Sequence, residues 1–197
     1  MWQQIAPGFK MMLVLTVLTG LIYPGVVTGF CQILFPAKAN GSLIVRNGQV
    51  VGSELMGQNF KKPEYFQPRP SAAGNDGYDP TASGASNYGP TNQKLIDRVK
   101  DSVASFRKSN PDYSGPIPAD MVTASGSGLD PEISPASAEA QAARIAKARG
   151  VAVRQVLDLV AKHTTGRDLG FLGEPRVNVL KINLALDLSS PGSRPVH

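Results

Sequence analysis

The chain has 197 residues and a formal net charge of +5, with one cysteine and two histidines. Cys31 alone excludes an intrachain disulfide and a cysteine-based metal site. His163 and His197 leave little for a histidine-rich metal centre or a Ser-His-Asp arrangement.

Residues 11–37 carry no charge between Lys10 and Lys38. As a helix this run would reach ~40 Å, enough for a hydrocarbon core of ~30 Å with some tilt. A cleaved signal peptide has a shorter apolar stretch, and a buried core helix seldom runs so far without a polar face. The sequence therefore predicts a short tail over 1–10, a transmembrane helix over 11–37 and one water-exposed domain over 38–197. Pro24 removes a backbone hydrogen bond mid-span and predicts a kink, and lipid offers no substitute donor. Gly20, Gly25 and Gly29 would let a partner helix approach closely. Lys10 on one side and Lys38 with Arg46 on the other balance too closely for charge to fix the orientation.

Past the span, Asn47-Gly48 between two apolar runs is a hairpin signal, because a type I′ turn needs positive φ at both central residues. The stretch 63–90 is rich in Gly and Pro without a period, but Tyr65, Phe66, Tyr78 and Tyr88 favour packing over disorder. A helix is expected from about Gln93 to Lys108, capped by Thr91 or Asn92, with Leu95, Ile96, Val99, Val103 and Phe106 on one face. After a second irregular stretch, Ser134-Pro135 opens a helix that Gly150 closes. A further helix carries Val153, Val156, Leu157 and Val160 and fades by Gly166. From Leu180 to Leu188, leucine and isoleucine alternate with Lys181, Asn183, Ala185 and Asp187, which predicts a half-buried strand paired antiparallel with the hairpin. The fold class is α+β: one transmembrane helix, then a small domain with an antiparallel sheet.

Little in the sequence assembles chemistry. Ser125-Gly126-Ser127-Gly128 would offer amides to a phosphate, but it lacks the Gly-Lys-Ser/Thr ending of a P-loop and reads as a flexible turn. Asn75-Asp76-Gly77 reads as a turn rather than a calcium loop. Residues 141–181 hold Arg144, Lys147, Arg149, Arg154, Lys162, Arg167, Arg176 and Lys181 against Asp158, Asp168 and Glu174. Such a face could meet anionic lipid, an acidic partner or a nucleotide phosphate, but it reads first as a solvated helix surface, and the aromatic interleaving of a nucleic-acid face is missing. Gln141 and Arg144 share one helical face, where together they would read a polar or anionic group. No nucleophile, base and orienting group come together, so no catalytic residue is expected.

The order of several blocks resembles the KdpC family, the C subunits of the Kdp potassium-transporting P-type ATPase. These blocks are Tyr23-Pro24 in the span, Ala39-Asn40-Gly41-Ser42-Leu43-Ile44, Gly57-Gln58-Asn59-Phe60, Tyr65-Phe66 and Arg69-Pro70-Ser71-Ala72. They continue through Ser83-Gly84-Ala85-Ser86-Asn87, Val122 to Asp130, Gln141 with Arg144 to Arg149, and Val177 to Asp187. Ala85 departs from the second glycine usual in that loop. The resemblance implies a non-catalytic subunit of the bacterial inner membrane, its domain periplasmic or otherwise extracytoplasmic. Its implied partners are a potassium-channel-like subunit, a P-type ATP-hydrolysing subunit and a small single-span subunit. It also implies a role in assembly and a catalytic-chaperone role, raising the ATP affinity of the hydrolysing subunit. No cofactor is implied for the chain alone. ATP would be met in a ternary complex with the hydrolysing subunit, with Gln141 matching the glutamine held to contact it. A stand-alone anchored ligand-binding module is the alternative.

Overall fold

The apolar run forms one continuous helical stretch, Gln3–Leu34, in the computed structural model, which describes residues 2–189. Its 32 residues are long and apolar enough to cross a membrane, and none of its most apolar stretch is buried within the chain. Helix α1 (Trp2–Val17) leads into a π-helical turn, Leu18–Ile22, and then helix α2 (Tyr23–Leu34). The π turn answers the problem that Pro24 poses. One residue before the proline, the Tyr23 N–H reaches back five residues to the Leu18 carbonyl, and this wider turn accommodates the ring. Thr19 Oγ1 donates to the Leu15 carbonyl at 2.7 Å, giving its hydroxyl an internal partner as a lipid environment requires. A short helix α3 (Pro36–Ala39) follows, and then strands β1 (Leu43–Arg46) and β2 (Gln49–Ser53). Asn47 and Gly48 sit at φ +52° and +77°, the hairpin turn their dipeptide predicts.

The chain divides into two compact units, Met1–Val51 and Gly52–His197. In the second, helix α4 (Gln93–Ser109) is capped by Asn92, whose side chain accepts the Lys94 N–H. Strand β3 (Glu132–Ile133) precedes helix α5 (Pro135–Arg149), whose Ser134 cap accepts the Ser137 N–H. Gly150 ends α5 in the left-handed region at φ +66°. Helix α6 (Val153–His163), strands β4 (Thr164–Thr165) and β5 (Arg176–Asn178), and helix α7 (Val179–Ser189) complete the described chain. The second histidine, His197, lies outside the described residues.

The expected strand over 180–188 is helix α7, and the sheet differs with it. The hairpin forms its own two-stranded sheet, while β5 is the centre of a separate antiparallel one, flanked by β3 and β4. Alternating leucines satisfy a strand template, but Leu, Lys and Ala are strong helix formers, and Asn and Asp are depleted from strands. The buried positions are Val179, Leu180, Ile182, Asn183, Leu186 and Asp187, a helical face rather than an alternation. Asn183 and Asp187, opposite the leucines in the expected strand, point inward, while Lys181 stays exposed.

Alanine-rich α5 is the central element of the core. Ala138, Ala142, Ile145 and Ala146 are buried, and the small alanine side chains let α6 approach closely. Val156 and Val160 from α6, Val177 from β5, Ile182 from α7 and Phe66 are fully buried with them. The fold is mixed α and β with small antiparallel sheets.

Candidate functional site

Residues 63–67 lie in no helix or strand, yet Tyr65 and Phe66 are buried. Backbone polar groups at such a place need partners, and side chains from α5 and α7 supply them. Arg144 Nη1 donates to the Pro63 carbonyl and, at 3.1 Å, to that of Tyr65. Arg149 Nε takes the Glu64 carbonyl at 2.7 Å. Asn183 pairs with both polar groups of Phe66, its Oδ1 accepting the N–H at 2.8 Å and its Nδ2 donating to the carbonyl at 3.0 Å. Gln141 does the same for Gln67, accepting its N–H at 2.8 Å and donating to its carbonyl at 3.1 Å. Two carboxamides and two guanidinium groups thus form a clasp around a turn and the irregular backbone that follows it.

Gln141 is the residue the sequence singles out, and it is fully buried. Its Oε1 also accepts from Arg144 Nη2 at 2.7 Å, and its Nε2 reaches the Ser137 carbonyl at 3.2 Å and Met121 Sδ at 3.7 Å. Gln141 and Arg144 do share a face, as their spacing requires, but that face is interior rather than solvated. Arg144 Nε completes the arrangement by donating to Asn110 Oδ1 at 2.9 Å. Burial pulls the Arg144 guanidinium down to about 10, so it remains charged at neutral pH.

The dense positive charge of 141–181 is largely matched inside the domain. Arg149 pairs with Asp187, Arg154 with Asp158, Arg167 with Glu174, Arg176 with Glu132 and Asp168, and Lys181 with Glu54. Burial raises the Glu132 carboxyl, against the lowering pull of Arg176.

The two glycine-serine stretches meet each other. Gly84 N–H and Ser83 Oγ both donate to the Ser127 carbonyl, at 2.9 and 3.0 Å. The Gly128 and Leu129 amides are taken by Ser125 Oγ and Ser127 Oγ. These amides, already engaged, are not available to a phosphate. Gly128 sits at φ +69° with Ala73 and the Gly84 carbonyl against it, so a side chain there would be strained and crowded.

A cleft of about 580 Å³ opens between α4 and the 67–78 segment, lined by Arg69, Tyr78, Arg98, Ser102 and Met121 among others. Arg69 pairs with Asp130 at 2.7 Å, and Arg98 lies over the Tyr88 ring at 5.5 Å from its centroid. Among the described residues, no three His, Cys, Asp or Glu side chains gather as a metal ion would need.

The residues of the clasp that sequence reasoning missed are Arg149, Asn183, Asp187 and Asn110. One signal was present. Asn183 and Asp187 stand four apart inside an apolar run, the spacing that puts both on one helical face.

Among the described residues one helix is long and apolar enough to cross a membrane, and the domain after it turns many of its polar side chains onto its own backbone, the architecture of a membrane-anchored protein. The chain belongs to the KdpC family, described as the c chain of a K+-transporting ATPase, which matches residues 5–188. Among its relatives is the protein named potassium-transporting ATPase KdpC subunit of Gemmatimonas aurantiaca, 57% identical over 200 residues and covering 100% of both chains. Proteins of the same name from Koribacter versatilis and Beijerinckia indica are each 55% identical, covering 99% of this chain and 100% and 98% of their own.

Proposed function

We propose that this chain is the accessory C subunit of an ATP-driven potassium uptake complex in a bacterial inner membrane, and that its main task is assembly. It anchors by its single span and joins a potassium-channel-like subunit, a P-type ATP-hydrolysing subunit and a small single-span subunit. Its domain lies outside the cytoplasm. The observation that carries this reading is the helix Gln3–Leu34, long and apolar enough to cross a membrane and unburied along its most apolar stretch, in a chain of the KdpC family.

An effect on the ATP affinity of the hydrolysing subunit belongs to the same proposal. Direct contact between Gln141 and ATP would require this carboxamide to release the Gln67 backbone, the Ser137 carbonyl and Arg144. We infer instead that Gln141 acts by shaping the domain, and that any change in ATP affinity is transmitted through assembly.

The test is affinity purification of the tagged chain from mild detergent, followed by identification of the chains that come with it. Recovery of a P-type ATPase subunit is the expected result. Recovery of this chain alone, from cells that also make the pump, would favour a stand-alone binding module.

A further inference from the structure

The connection between β4 and β5 presents large apolar side chains to water on a rigid tip. Leu169, Phe171 and Leu172 are 83%, 69% and 49% exposed. A mobile loop would let these groups collapse onto the domain, but this one is braced. Asp168 and Leu172 exchange both backbone hydrogen bonds, at 2.8 and 2.9 Å, and the Gly170 N–H donates to the Arg167 carbonyl at 3.2 Å. Below the tip, Arg167 Nη2 bonds both oxygens of Glu174, at 3.0 and 2.8 Å. Arg176 joins Asp168 to Glu132. Leu169 itself is held at φ +53°, a left-handed conformation that a leucine rarely adopts and that persists only where its surroundings enforce it.

We propose that this tip is a preformed plug that inserts Leu169 and Phe171 into an apolar pocket on another chain of the same ATPase, in its water-exposed part. The inference rests on the subunit reading above and names the surface through which the domain meets its partner. An apolar centre ringed by polar side chains is the anatomy of a protein interface, and a rigid aromatic anchor is its usual energetic focus. Ordering before binding lowers the entropy lost on association.

Charge argues for a protein rather than a lipid surface. Membrane-binding tips carry unmatched Lys or Arg that meet anionic headgroups. Here Arg167 and Arg176 are already matched by Glu174, Asp168 and Glu132, three carboxylates to two guanidinium groups. Among the described residues 166–175 the single cation, Arg167, is matched by Glu174, so the tip itself suits a neutral, apolar socket.

The experiment places a photoreactive benzoylphenylalanine at Phe171 in the full chain, co-expressed with the pump's other subunits and irradiated in membranes. The same probe at Lys147, on the exposed side of α5, sets the background. The expected result is an adduct with another ATPase subunit that is absent at Lys147. Adducts only with lipid, only with a second copy of this chain, or with nothing would each overturn the proposal. In parallel, Leu169→Ser with Phe171→Ser should lower recovery of partner chains about tenfold, as loss of a central anchor does, while the melting temperature holds and Phe171→Leu retains most recovery. Unchanged recovery of partners by the double variant would also sink it. If the unaltered chain captures no ATPase subunit, the subunit reading fails and this inference fails with it. If the unaltered chain captures partners while the Phe171 probe marks none of them, only the plug is wrong.

Discussion

Arg149 Nη2 donates to Asp187 Oδ1 at 2.9 Å with both side chains 2% exposed, so a buried ion pair ties the last turn of α5 to α7. The same carboxylate accepts from the Tyr65 hydroxyl at 3.1 Å, and the Arg149 guanidinium lies over the Tyr65 ring, 4.9 Å from its centroid. Burial first, and the Asp187 carboxylate second, push the Tyr65 phenol up, so it stays a donor. Two helices and the 63–67 segment are thereby joined at one point.

Removing one partner leaves the other charge buried and uncompensated. Arg149→Met should destabilise the domain by about 3–5 kcal/mol, read as a fall in melting temperature of the full chain in detergent. Adding Asp187→Leu should restore part of that loss. It should not restore all, because the Tyr65 hydroxyl and the Glu64 carbonyl would still lack their partners. A single variant as stable as the unaltered chain would show that the pair carries no weight.

Gln141→Ala exposes the second tie of the clasp. It strips both polar groups of Gln67 of their partners, and an unsatisfied buried group costs about 1–3 kcal/mol. The expected outcome on purified complex is a lower melting temperature with an unaltered curve of ATPase rate against ATP concentration. A rise in the ATP requirement at unchanged stability would restore the direct nucleotide contact.

Local signals made most helices legible. Caps at Asn92 and Ser134, the stop at Gly150 and the apolar spacing of α6 lie where the sequence puts them. Over residues 180–188 alternating leucines fit both periods, so the sequence predicts a strand where helix α7 forms. The clasp was illegible for a different reason. What turns Gln141, Arg144 and Asn183 inward is the backbone of residues 63–67, which lies outside any helix or strand, is distant in sequence and carries no pattern of its own. Pro24 announced a lost hydrogen bond, but the π turn that absorbs it depends on backbone choices that composition does not encode.

Gly57 is a position where even one methyl group has no room. A Cβ there would lie 2.3 Å from Tyr78 Cε1 and 2.6 Å from the Asp130 carbonyl oxygen. The backbone oxygen cannot swing aside, and the Tyr78 ring is tethered by its hydroxyl to the Arg69 carbonyl at 2.8 Å. Gly57→Ala should cost about 1–3 kcal/mol by overpacking, measured by thermal unfolding. Combining it with Tyr78→Leu should relieve only the side-chain part of the clash.

His163 gives the domain a pH dependence whose sign is fixed. Burial, then Lys162 and Lys181, hold its imidazole below the ordinary value of 6.5. The folded state therefore binds this proton less readily than the unfolded chain does. The stability tied to neutral His163 is present above pH 6.5 and is lost as pH falls through the lower folded value. Comparing His163→Gln with the unaltered chain separates this contribution from that of Glu132, whose raised carboxyl acts in the opposite sense. The stability difference between the two should change across that window and stay flat above it. A difference independent of pH would refute the assignment.

The apolar helix allows a test of partnership that leaves the chain's own fold untouched. A Cβ at Gly25 would meet nothing within 4 Å, and the same holds for Gly20 and Gly29. Within α2 no residue is buried, so Gly25→Leu removes no internal contact and replaces a weak helix former with a strong one. The isolated chain should fold and insert as before. If a partner helix packs against this glycine face, however, the added bulk forces the two backbones apart, and the close contact that holds helices together in lipid is lost. Recovery of the complex from mild detergent should then fall, while Val26→Leu, beside it at a site already bulky and 66% exposed, should change little. Equal recovery of both variants would place the partner on another face of the helix.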